Sequence, residues 1–214
     1  MSSVAVKERG VIFSAPLVRA VLDGSKTQHR FVVVPQPTAQ LFAVNGGPEW
    51  TYPDPRDPDV PDWDRVRLCP YGAVGDRLWV RETWGITAAI PMGFQRRAIE
   101  DKGATLEKGD LAYRADDPAG RYCWRSSIHM PRWASRLALE ITSIRVEHLQ
   151  DITEEDAKAE GMAAWAAAYC TRLPEYEMYA RAYFELAWGH GEGRHYPWES
   201  NPWCWVVAFR REQS

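Results

Sequence analysis

Gly24-Ser25-Lys26-Thr27-Gln28-His29-Arg30, followed at once by Phe31-Val32-Val33-Val34, sets a glycine, a lone lysine and a β-branched run end to end. Upstream, Pro16 suits the first turn of a helix over residues 16–23. Leu17, Val18, Val21 and Leu22 form its apolar stripe, and Gly24 supplies the stop. Downstream, residues 31–34 read as a strand that Pro35 terminates. Lys26 therefore follows a helix end. It is one of a handful of lysines among 26 cationic residues. An arginine stays charged whatever its surroundings, whereas burial drives a lysine amine towards its neutral form, able to act as base or nucleophile.

The chain has 214 residues, of which 45% are hydrophobic, and is expected to form one domain spanning 1–214. No apolar run approaches the roughly 18–20 residues that cross a bilayer, and the first residues lack the basic-then-apolar pattern of a secretion signal. A cytoplasmic protein without membrane contact is expected. Cys69, Cys123, Cys170 and Cys204 form no C-x-x-C pair, so neither a zinc site nor a disulfide framework is signalled, and no metal or cofactor is expected. A formal net charge of -3 argues against strong indiscriminate attraction to nucleic acid. Arginines crowd the stretch from Arg77 to Arg145, either as a local basic patch or as solvated side chains. Among the 11 tryptophans, Trp79, Trp124, Trp203 and Trp205 lie in strand-like runs and are expected in the core. Trp50, Trp63, Trp188 and Trp198 sit among Pro, Asp, Gly and Glu, where they either line a cleft for base stacking or pin down loops.

Residues 35–70 are dense in Pro, Asp and Gly and read as a long loop or insertion. Gly75-Asp76 is a turn, and residues 77–83 a strand with Leu78 and Val80 on one face. Residues 85–130 are irregular, with one strand near 111–114. Over residues 137–149 the apolar parity is odd at Leu137, Leu139 and Ile141 and even at Ile144 and Val146, which implies a bulge near Thr142-Ser143. Thr153 caps a helix, with Asp156 completing the box and Gly161 as the stop. Glu160 then falls in the last turn, four residues after Asp156, where the like charge and the negative helix end both disfavour a carboxylate. It either points into water or has a partner elsewhere. Residues 174–188 read as an amphipathic helix with Tyr179, Ala182, Tyr183, Leu186 and Ala187 on its apolar stripe. Residues 203–209 are apolar on both faces, as in a central strand covered on both sides. These elements predict an α+β fold, a small mixed β-barrel with flanking helices and large insertions.

Residues 24–30 resemble the G-x-K-T-x-T-x-R signature of the ASCH domain family, and residues 153–162 resemble its second signature helix. Residues 75–84 and the closing strand from Trp203 to Phe209 are similar too. With Ser127-Ile128-His129-Met130-Pro131-Arg132-Trp133 between them, these blocks look most like the phage and prophage branch. The resemblance implies a PUA-like mixed β-barrel with insertions at about 35–70 and 85–125. It further implies a nucleoside or nucleic-acid partner, RNA before DNA. Some family members are amidohydrolases that remove an acyl group from the exocyclic amine of cytidine. They use a lysine, a threonine three residues later and a helix-borne glutamate, which match Lys26, His29 and Glu160 here. Thr27, Arg30, Arg81, Glu82, Arg132 and Trp133 are candidates for substrate binding. On this reading Lys26 is either a base, if burial lowers its proton affinity, or a charged stabiliser, if Glu160 holds it ionised. A raised pKa would let Glu160 pass a proton to the departing amine, and in place of the threonine either His29 takes over part of the mechanism or Thr27 substitutes from the neighbouring position. The alternatives are a noncatalytic reader of RNA, DNA or a modified base, and a nuclease using His29, His129 and Lys26.

Overall fold

The computed structural model of the chain describes residues 6–37, 42–44, 49–51, 53–54, 57–61, 67–87, 110–117, 119, 122–170, 179–190 and 194–212. Most of the two expected insertions, with Trp63, lies outside the described residues. So does the first part, 174–178, of the expected helix 174–188.

Strands β1 (Glu8–Ile12), β2 (Gln28–Val32), β8 (Arg77–Arg81), β11 (Ala138–His148) and β12 (Trp203–Arg211) form one mixed sheet in the order β1-β8-β11-β12-β2. Only the β1–β8 pair is parallel. Small ribbons accompany this sheet. They are β9 (Trp84–Ile86) with β10 (Leu111–Tyr113), and, within the 35–70 stretch, β3 (Phe42–Val44), β4 (Glu49–Thr51), β5 (Pro53–Asp54), β6 (Asp57–Pro61) and β7 (Arg67–Leu68). The α+β class is as expected. The described strands form an open sheet with β1 and β2 at its edges, with no closed barrel among them. The edges nonetheless approach each other at Phe13. Its amide donates to the Arg81 carbonyl at 3.1 Å, while its ring packs edge-on against His29 of β2 at 5.1 Å. Residues of every strand of the main sheet, or directly after it, meet in one apolar core: Val11, Val33, Leu78, Leu139, Val146 and Val207.

The phase change along β11 is a register shift between Ile141 and Ser143. Before it Leu139 and Ile141 face the core; after it Ile144 and Val146 do. One extra residue, Thr142, thus turns Arg145 and Glu147 to the opposite face, where the helices lie. Helix α1 (Ala15–Asp23) has Pro16 in its first turn and ends on Gly24 at φ 84°. Helix α2 (Glu154–Ala159) carries the expected capping box between Thr153 and Asp156, and Gly161 ends it at φ 83°. Two more helices follow, α3 (Met162–Tyr169), which the sequence did not announce, and α4 (Ala180–His190). They form a second apolar cluster around Leu149, Ala157, Trp165, Phe184 and Trp188, which Leu17 of α1 also touches.

Three expectations need correction. The strand after Lys26 spans Gln28–Val32 rather than 31–34, because the amides and carbonyls of residues 28–32 pair with β12. The apolar stripe of α4 is rotated by about one residue. Tyr183, Phe184 and Trp188 are buried, while Tyr179 and Leu186 are exposed, since the larger rings at spacing four claim the core-facing side. Trp188 is accordingly a buried helix residue rather than a loop residue, and it lines a hollow as one of its two expected roles required. Of the four tryptophans expected inside, Trp205 is buried and Trp79, Trp124 and Trp203 are half-buried. No helix among the described residues is long and apolar enough to cross a membrane.

Candidate active site

The segment between α1 and β2 is pinned from three sides. The Lys26 amide donates to Ala20 O at 2.9 Å, Thr27 N to Ala159 O at 2.9 Å, and Phe209 N to Thr27 O at 2.8 Å. Lys26 and Glu160 thereby form an isolated antiparallel bridge between the end of α1 and the end of α2. Gly161 permits the approach, since a β-carbon there would lie 3.0 Å from Ala20 Cβ and 3.2 Å from Lys26 Cβ.

The side chains converge accordingly. Lys26 Nζ lies 3.0 Å from Glu160 Oε2, 2.9 Å from Glu160 O and 2.7 Å from Gln28 O, with no side-chain area exposed. His29 Nδ1 stands 3.1 Å from Glu160 Oε2 and 3.4 Å from Lys26 Nζ. The imidazole is held edge-on between Phe13 and Phe31 and, at 27% exposed, is the member of the trio that reaches the surface. Glu160, the carboxylate that its own helix disfavours, thus has its partner. Burial alone would raise its pKa, but Lys26, the hydrogen bond from His29 and Arg30 outweigh burial and hold it at about 2. Glu160 is therefore an anion at neutral pH, and the sequence-based role of a neutral proton donor is corrected. Burial pulls the Lys26 amine down against the attraction of Glu160. Its three acceptors match the three N–H bonds of an ammonium, so the pair rests charged and Lys26 has no face towards a substrate.

Arg30 sits beneath this trio, fully buried. Its Nη2 donates to Glu147 Oε2 at 2.8 Å and Asp156 Oδ2 at 3.2 Å, and Nη1 lies 3.6 Å from Glu160 Oε1. Arg145 closes the group, donating to Asp156 Oδ1 at 2.8 Å and to Glu147. Arg30 and Arg145 both pair with Val206, so one cross-strand row places both guanidiniums beside the carboxylates. Lys26, Arg30 and Arg145 balance Glu147, Asp156 and Glu160. Three atoms remain buried without a hydrogen bond: Arg30 Nε, Arg30 Nη1 and Glu160 Oε1.

These residues border a hollow of about 250 Å3, walled by His29, Arg30, Glu160, Met162, Trp165 and Phe184 among others. It is slightly smaller than the roughly 300 Å3 at which pockets for drug-sized ligands begin, a size suited to one small ring. Among the described residues no group of three His, Cys, Asp or Glu side chains is placed to hold a metal ion.

Of the residues singled out in the sequence, Lys26, His29, Arg30 and Glu160 come together. Thr27 is exposed and faces away, as alternation from buried Lys26 and Gln28 requires. Arg81 instead donates to the carbonyls of Ser127 (3.2 Å) and Ile128 and lies over Trp79. Glu82 is buried against Arg136, which also holds Asp116. Arg132 pairs with Glu8, and Trp133 packs on Trp84. These four belong to the β8 side of the sheet, and His129 lies on the exposed turn beside the carbonyls that Arg81 binds. Asp156 and Glu147 were missed as site residues. The i, i+4 spacing of Asp156 and Glu160 was the available signal, since it places two carboxylates on one helix face that needs a shared cation. Comparison with protein-family models, with curated proteins and with solved structures finds no match.

Proposed function

We propose that the chain is an ASCH-type, PUA-like protein that hydrolyses the amide between an acyl group and the exocyclic amine of cytosine or cytidine, without a metal. The observation that carries this reading is the buried Lys26–Glu160 pair with a part-exposed His29 hydrogen-bonded to it at the rim of a ring-sized hollow. The signature motifs and the approach of the sheet edges at Phe13 support the fold half of the proposal.

In this mechanism His29 is the catalytic base. With Nδ1–H donating to the Glu160 carboxylate, the basic lone pair is on Nε2, and Glu160 steadies the imidazolium as it forms, as in other carboxylate–histidine pairs. Nε2 takes a proton from water, and the hydroxide oxygen bonds to the acyl carbon. The C–N bond then breaks as His29 returns the proton to the exocyclic nitrogen, so acid and free amine leave in equal number. Arg30, buried beneath Glu160, supplies positive charge to the side of the hollow where the oxyanion develops. Lys26 is a positioning residue that fixes and ionises Glu160.

Incubating the protein in chelator with a panel of short acylcytosines and acylcytidines, and following release of cytosine or cytidine by chromatography, tests the reading. Release that depends on protein concentration is expected; an inert protein across the panel contradicts it. One observation favours a second reading. All three N–H bonds of Lys26 are engaged inside the protein, which suits a rigid pocket that reads a modified base in RNA without cleaving it. Binding of the same ligands without turnover decides for that reading.

A further inference from the structure

A second hollow, of about 470 Å3, adjoins the first and is walled by Ser14, Trp165, Tyr169, Ala187 and His190 among the described residues. The two share Ser14, Trp165 and Ala187. Their chemistry differs. The first wall sets His29, Arg30 and Glu160 beside Trp165, Phe184 and Trp188, whereas the second holds no guanidinium or carboxylate among its described residues and presents Trp165, Tyr169 and His190. Trp165 lies 5.3 Å from Tyr169 and 6.1 Å from His190, tilted by 46° and 41°. Ser14 stands where the two meet. It is the N-cap of α1 yet makes no cap bond, and its Oγ is buried without a hydrogen-bond partner.

A scissile amide has two substituents. The base presents donors and acceptors on its edge and matches the charged wall; the acyl group presents apolar surface and matches the ring wall. The second hollow is the larger, so the acyl side has room for more than two carbons. We infer that the second hollow is the acyl-side subsite of the same centre and takes a planar, ring-bearing acyl group stacked against Trp165 and Tyr169. This inference rests on the proposed reaction for its choice of ligand. A ring placed there finds aromatic partners in Trp165 and Tyr169, against which offset or edge-on contact is favourable.

The test is equilibrium binding and turnover of acetyl- and phenylacyl-cytosine, each with and without ribose, by the wild-type, Tyr169→Ala and His190→Ala proteins. Both positions are exposed and border only the second hollow, so folding is spared. The wild type is expected to bind the phenylacyl ligand about 5- to 10-fold more tightly than the acetyl ligand, the scale of one aromatic pair. Each substitution is expected to erase most of that ratio. A ratio near one, a ratio set by the ribose, or a ratio that survives both substitutions overturns the subsite. Preference without turnover keeps the subsite and removes hydrolysis. Turnover without preference does the reverse, and binding of neither ligand overturns both.

Discussion

Lys26 and Glu160 stabilise the fold only as a pair. Each is buried to about its last percent, and removing one partner of such a pair costs roughly 3–5 kcal/mol because the other charge stays behind uncompensated. Lys26→Met is therefore expected to lower the urea-unfolding free energy by about that amount, and adding Glu160→Gln to restore most of it. A single substitution as stable as wild type contradicts the pairing. On truncation of Lys26, lost activity and lost stability therefore travel together. At this scale the sequence was informative wherever a residue broke a local rule: a lone lysine after a helix stop, a carboxylate at the wrong helix end. Arg30 and Glu147 break none, and Asp156 shows only in its spacing of four from Glu160. Their assembly depends on cross-strand register, which no local pattern encodes.

Two joints between elements place the site. The first is the bulge at Thr142, which carries Arg145 and Glu147 to the helix side. Deleting Thr142 reverses the parity and drives both charges into the apolar core, so a chain without cooperative unfolding by circular dichroism is expected; native-like melting contradicts the account. The second is Gly161, at φ 83° and with a β-carbon position 3.0 Å from Ala20 Cβ. Gly161→Ala is expected to cost at least about 2 kcal/mol, combining left-handed strain with that contact, measured by urea denaturation. Both joints were legible, one as a phase change in apolar parity and the other as a glycine after a capped helix. Helix α3 was not. Met162-Ala163-Ala164-Trp165-Ala166-Ala167-Ala168-Tyr169 is apolar or small all round and shows no amphipathic stripe. The rotation of α4 escaped because Phe184 and Trp188 outweigh smaller residues that fit the period equally well.

Across the molecule, the charge network couples stability to acid. Glu160 is held at about 2 in the fold, and burial of Asp156 is outweighed by Arg30 and Arg145, which also lower it. Folded-state values below the unfolded ones stabilise fully above about pH 4.5, and that stabilisation is lost as pH falls towards about 2. The urea midpoint is thus expected to be flat near neutrality and to fall below about pH 4.5, with a shallower fall for Glu160→Gln. A midpoint that rises on acidification contradicts the sign. The α+β class and the central strand β12 were readable from apolar patterning, whereas the curl that brings the sheet edges together at Phe13 is a property of the packed sheet. His29 sits where that curl meets the helix layer, and the whole account turns on it. The most direct test compares the release of cytidine from an acylcytidine by wild-type and His29→Ala proteins of equal melting temperature, both in chelator. The account predicts release by the wild type and a rate about 100- to 10,000-fold lower for the variant. A variant as fast as the wild type would contradict it.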